Sequence, residues 1–181
     1  MTLAETLREI VREECRRPER ATPGSIMARL APEAERCLDR VRFSAHQYMR
    51  HPILLHDDWE IMLIAWESGQ ITPIHDHRGV MGGMAVLSGA LAEERFATPE
   101  GRPRLADDRV RPEGDLSDIG PTVLHRLKPT SARAVSLHVY RPPLRTMGIW
   151  EDDGMREIRP SAFDVEEEVL ARAAASGVPV R

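Results

Sequence analysis

Lysine is nearly missing from this chain: of 25 Lys and Arg residues only Lys128 is a lysine, which we read as base composition of the genome and not as function. Cysteine is scarce too. Cys15 and Cys37 are too few for a disulfide framework and fit a reducing cytosol, hence a cytoplasmic location. No apolar run approaches the ~20 residues needed to span a bilayer. The stretch "MTLAETLREIVREECRR" interleaves acids with arginines and lacks an apolar centre, so neither a membrane partner nor a secretory leader is expected. A net charge of −4 with both signs mixed along the chain leaves no basic stripe for nucleic acid. Internal repeats and low-complexity tracts are lacking as well. What is left is a 181-residue chain, long enough to bury a core as one domain without staples.

Leu3, Leu7, Ile10 and Val11 recur at helical spacing and predict an amphipathic helix over residues 3–17. "PEAERCLDRV" predicts a second over 32–41, with Pro32 in its first turn. Cys15 and Cys37 fall on these helices, where a cysteine is either a reactive thiol or, more commonly, a small apolar filler. From about residue 55 the texture changes. "WEIMLIAWESG", "MAVLSGALAEERFAT", "GDLSDIGPTVLHRL" and "ARAVSLHVYRPPL" are short apolar-rich runs divided by Gly, Pro, Asp and Ser. That predicts a mainly β fold, a sandwich or barrel, and not alternating βαβ units. The polar segment 97–115 predicts a hairpin with a surface loop. Past "RPPL" the alternation is lost, and "DVEEEVLARAAA" (164–175) predicts a closing helix with Glu166–Glu168 as a solvated face near its start. The expected organisation is one domain: helices in 1–45, the barrel with its site in 46–150, and an extension over 151–181.

The chemistry concentrates around "GQITPIHDHRGVMGGMAVLSGAL". In a strand, residues i and i+2 share a face, so His75 and His77 can offer two imidazoles to one ion while Asp76 points away. Pro73, with no N–H, suits an edge or the entry to a strand. By itself the pair fits a metal site or two ordinary core or exposed histidines. The wider spacing adds to it. Gly69, five residues, His75, His77, four residues, Gly82, six residues and Gly89 reproduce the spacing of the first motif of the cupin superfamily. Where that motif usually carries a glutamate ligand, this chain has Gly82. "GPTVLHRLKP" (120–129) resembles the second cupin motif and offers His125. Three neutral imidazoles without a carboxylate would leave an Fe(II)-type ion its full charge and open positions, a site that favours an anionic soft ligand such as a thiolate.

In "AVSLHVYRPP" (134–143), Ser136, His138 and Tyr140 lie at i, i+2 and i+4 of one strand and share a face, with Leu137 and Val139 on the other. Such a row can orient a phenol, serine fixing the histidine and histidine the tyrosine; it can equally be a solvent-facing polar edge. Taken in order, "HDH", "LSGAL", "LHRL" and "SLHVYRPPL" resemble the cysteine dioxygenase family of cupin thiol dioxygenases, from about Tyr48 to Leu144. The resemblance implies a cupin, or double-stranded β-helix, barrel flanked by N-terminal helices and a short C-terminal one. It implies that His75, His77 and His125 ligate Fe(II), one per chain, and that Ser136, His138 and Tyr140 form an outer row. "YMRHPI" (48–53) resembles the segment whose arginine grips the substrate carboxylate, which falls on Arg50, with Trp66 in the following strand. A guanidinium meets a carboxylate through two parallel bonds. Animal members carry a cysteine at the place of Gly82 and link it to the tyrosine; here Tyr140 is expected to be unlinked, as in bacterial members.

The function so implied is oxidation of a small thiol, L-cysteine first, by O₂ to its sulfinic acid. 3-Mercaptopropionate and mercaptosuccinate remain alternative substrates, since Arg50 suits any carboxylate. A non-catalytic metal-binding cupin and a hydrolytic zinc site are the rivals of other classes. The expected partners are the thiol and O₂, with the chain a monomer or a small homo-oligomer.

Overall fold

A computed structural model describes residues 3–16, 22–55 and 57–159. The helix expected over 164–175 lies outside them. Two helices open the chain, α1 (Leu3–Cys15) and α2 (Pro23–Ala34). Thr22 starts α2 through a reciprocal cap: its hydroxyl accepts from the Ser25 N–H at 3.1 Å, and the Ser25 hydroxyl accepts from the Thr22 N–H at 3.0 Å. Pro23 occupies the first turn, where a missing N–H costs nothing. This corrects the helix expected over 32–41. Pro32 lies inside the end of α2, and Glu35–Arg40 continues as a 3-10 helix. The starting signal is Thr22-Pro23, one helix length ahead of Pro32. Cys37 is partly buried on this 3-10 segment and packs against the core as a filler.

The alternating runs form strands β1 (Met49–Leu55), β2 (Glu60–Glu67), β3 (His75–Asp76), β4 (Met81–Ser88), β5 (Ala90–Ala97), β6 (Arg104–Pro112), β7 (Leu116–Ile119), β8 (Leu124–Pro129), β9 (Arg133–Arg141), β10 (Met147–Glu151) and β11 (Gly154–Ile158). They assemble into a five-stranded sheet, β1-β2-β9-β4-β7, and a six-stranded sheet, β11-β10-β3-β8-β5-β6. The polar segment 97–115 is the β5–β6 hairpin and its turn, as expected. Past "RPPL", where the sequence loses alternation, β10 and β11 pair as a hairpin joined by Asp152 and Asp153. The two-residue loop Asp152-Asp153, followed by Gly154 at φ +124°, was a readable turn signal between two short apolar runs.

The five-stranded sheet is buried on both faces, which is why β2 reads "IMLIAW" without alternation. Ile61, Leu63, Leu137 and Val139 face the helices, where Ile26, Met27 and Leu30 of α2 meet them. Met62, Ile64, Trp66 and Met84 face the second sheet, meeting Leu91 and Leu127. Strand β9, in the middle of the first sheet, therefore carries Leu137 and Val139 outward and Ser136, His138 and Tyr140 into the space between sheets. Opposite it, β3 and β8 occupy the middle of the second. β3 is thus an interior strand, and Pro73 stands at its entry, not on an edge. Among the described residues no helix is long and apolar enough to cross a membrane.

Candidate metal centre

His75 on β3 pairs in register with His125 on β8, and His77 follows β3 directly. All three are buried, and their candidate ligand nitrogens lie within 4.8 Å of one another. Asp76 points the other way, its Oδ1 accepting from the Arg78 and Gly148 backbone N–H groups at 3.1 Å each. The His75 Nδ1–H donates to the Pro73 carbonyl at 2.9 Å, which leaves its Nε2 lone pair for the centre. His125 Nε2 faces His77 Nε2 at 3.4 Å. Burial pushes His75 well below the usual histidine range, with the charges of His125 and His77 adding to it. Burial, then His125 and Arg50, lowers His77 to about 3. Imidazole lone pairs that converge on one point repel one another unless a cation lies between them. The Nδ1 atoms of His77 and His125 are buried without a hydrogen-bond partner among the described residues. The donor set fits a metal ion.

A hydrogen-bonded row ends beside this cluster. Trp66 Nε1–H donates to Ser136 Oγ at 2.9 Å, Ser136 Oγ lies 2.8 Å from His138 Nε2, and His138 Nδ1 lies 3.4 Å from the Tyr140 hydroxyl. An indole N–H only donates, so the single Ser136 proton is left for His138 Nε2. Burial, with Arg50 second, holds His138 well below the usual range, so the ring is neutral and its one proton sits on Nδ1, facing Tyr140. The phenol proton is then free to point elsewhere. Burial raises the Tyr140 hydroxyl to about 12 against the opposing charge of Arg50, keeping it a donor. Trp66 at the head of the row is a contact that spacing along β9 did not show.

Arg50, on β1, shares the inner face with Ile64 and Ser136 by register, and its Nε is buried without a hydrogen-bond partner among the described residues. It joins Tyr48, Tyr140 and the three histidines around a cavity of about 120 Å³. That is room for one small molecule. Ile64, Leu127, Met147, Ile149 and Ile158 supply the apolar wall, and among the described residues no carboxylate lines the cavity. The last three come from the hairpin that sequence reading missed. Gly82 sits opposite Tyr140 on the neighbouring strand; a Cβ there would lie 3.1 Å from His77 Nδ1 and 3.3 Å from Tyr140 Cδ1. The glycine therefore lets the His77 and Tyr140 rings meet edge to face at 5.1 Å. Cys37 belongs to the core on the helix side, away from Tyr140.

Glu93, on β5, also escaped sequence reading, since "LAEERF" looks like a solvated edge. Its carboxylate is 1% exposed and lies 3.6 Å from His125 Nδ1, an ion-pair separation longer than a hydrogen bond. Burial alone pushes it up, but His125, Ser117 and Arg95 outweigh burial and hold it at about 2.

Two facing antiparallel sheets enclosing a buried histidine trio define a cupin barrel with a candidate metal site. A Klebsiella pneumoniae protein with a double-stranded β-helix domain matches this fold at a TM-score of 0.53 and 17% identity, covering 63% of this chain and 93% of that one. The TT1209 protein of Thermus thermophilus matches at 0.50 and 20% identity, covering 58% and 93%. The profile of the cysteine dioxygenase type I family matches residues 2–153, and the chain belongs to that family. Human cysteine dioxygenase type 1 is 30% identical over 112 residues, which cover 58% of this chain and 56% of the human protein. The bovine protein matches over the same extent at 30%. The chain spans about half the length of these relatives.

Proposed function

We propose that the protein is a thiol dioxygenase that holds Fe(II) through His75, His77 and His125 and converts L-cysteine and O₂ to cysteine sulfinic acid. The reaction balances without a further reductant: both oxygen atoms go to sulfur, and the thiol supplies the electrons. Iron(II) would supply open positions for a thiolate and for O₂, together with the redox chemistry. Arg50 gives the carboxylate a planar two-pronged partner, and its unpartnered buried Nε is the kind of group a ligand satisfies. Trp66, Ser136 and His138 hold Tyr140 as a neutral donor aimed at the cavity, where it can bond to the substrate as charge develops. The apolar wall gives the carbon and sulfur atoms of a small thiol a surface to pack against.

One observation carries this reading: an oriented phenol whose ring lies 5.1 Å from that of His77, in a cavity that also holds an arginine. A simple metal-holding barrel needs neither. The test is oxygen uptake by anaerobically Fe(II)-loaded protein, with sulfinate quantified, for L-cysteine, 3-mercaptopropionate, mercaptosuccinate and cysteamine. Uptake matched mole for mole by cysteine sulfinate is expected. Cysteamine, which has no carboxylate for Arg50, should be poor. Preference for another carboxylate thiol would keep the chemistry and correct the substrate. Iron-loaded protein inert to every thiol would overturn the proposal.

A further inference from the structure

Glu93 has a place in the site that the three-histidine reading leaves unused. Its Oε2 accepts from Arg111 Nε at 3.0 Å, Arg111 Nη2 at 2.8 Å and Ser117 Oγ at 2.9 Å. Its Oε1 accepts from Arg95 Nε at 3.0 Å and faces His125 Nδ1 at 3.6 Å. No group among the described residues hydrogen-bonds that ring nitrogen, and Glu93 is the carboxylate that faces it, while the other nitrogen of the same ring looks into the histidine cluster. A buried carboxylate survives only when cations and donors compensate it, and the two arginines and the serine do so here. The cluster itself brings no negative charge, because all three of its members are imidazoles. Glu93 places one immediately behind His125.

We propose that Glu93 is a positioning residue of the metal site: it fixes His125 with its proton on Nδ1 and its Nε2 lone pair inward, and its charge, tempered by Arg111, sets the affinity and reduction potential of the bound ion. The inference rests on the reading that His75, His77 and His125 hold a metal. Ligating histidines commonly give their second N–H to a carboxylate, which orients the ring and makes it a better donor. Arg111 approaches Glu93 from β6, pairs with it at 2.8 Å and also pairs with Asp115 at 3.1 Å, so it offsets the carboxylate's charge behind His125.

That arrangement gives two substitutions opposite signs. Glu93→Gln keeps the shape and removes the charge. It should weaken Zn(II) and Fe(II) binding by roughly 10- to 100-fold in competition with a chelator, and raise the Fe(III)/Fe(II) potential. Arg111→Gln removes a counter-charge; it should leave binding as tight or tighter and lower the potential. A purely structural role would weaken binding in both variants, in step with lost thermal stability. Wild-type affinity in Glu93→Gln, or shifts of one sign in both variants, would overturn the proposal. If Glu93→Gln does not fold, Arg111→Gln alone decides by the direction of its potential shift. Failure of the wild-type chain to bind either metal would instead overturn the metal reading, and this inference with it.

Discussion

Tyr140 ends a row whose polarity is set three side chains away. The Trp66 indole donates, Ser136 relays its proton to His138, and His138 offers Nδ1–H to the phenol oxygen. Removing the hydroxyl should leave the histidine cluster intact and take away one directed hydrogen bond. Tyr140→Phe is therefore expected to keep its metal content and to turn over roughly 10²-fold more slowly. Elemental analysis beside steady-state rates checks both halves, and a variant that lost its metal would contradict the placement of Tyr140 outside the ligand set. The β9 members of this row were legible because a strand repeats every two residues, so Ser136, His138 and Tyr140 had to share a face. Trp66 was not legible as their partner, because its bond crosses from β2 and depends on strand pairing. Glu93 was hidden for a related reason. An acid in an acid-and-arginine run looks solvated until Arg95, Arg111 and Ser117 are seen folded over it.

Among the elements, the strands that bracket the histidines came through clearly, and the histidine motif marks its own turns with glycine. Gly69 and Gly89 both have positive φ, +88° and +76°, yet they differ in surroundings. A Cβ on Gly69 would meet nothing within 4 Å, whereas one on Gly89 would lie 2.3 Å from the Arg133 carbonyl oxygen and 2.6 Å from Ser131 Oγ. Gly69→Ala should lose only the left-handed strain, about 1–2 kcal/mol. Gly89→Ala must also displace the start of β9 and should lose at least about twice as much. Chemical denaturation of the pair tests this, and equal losses would show that close approach at Gly89 is relieved cheaply. The elements misread at the sequence level were those with competing signals. Two prolines bid for one helix start, and Thr22 decided between them through its cap. Strands β10 and β11 are short and amid charge, so their hydrophobic pattern was weaker than the Asp152-Asp153 turn that joins them.

For the molecule as a whole, the mainly β architecture was readable from run length and punctuation, but which strands would lie side by side was not. Pairing decides the site: β3 is two residues long and is held between β10 and β8 in a sheet whose other strands are longer. An ion bound by His75, His77 and His125 would cross-link β3 to β8 and bind only the folded chain. At metal concentrations about 100-fold above the dissociation constant, such linkage adds about 2.7 kcal/mol. For a domain of this size that corresponds to a rise in Tm of roughly 5–11 °C. Anaerobic Fe(II), or Zn(II) as an oxygen-insensitive substitute, should produce the rise, and a chelator should reverse it. His125→Ala should abolish the shift because it removes the β8 ligand. Tyr140→Phe should retain it in full if, as proposed, the phenol serves the substrate and not the ion. Wild-type protein whose Tm ignores both metals would show that the converging imidazoles are a packed core and nothing more.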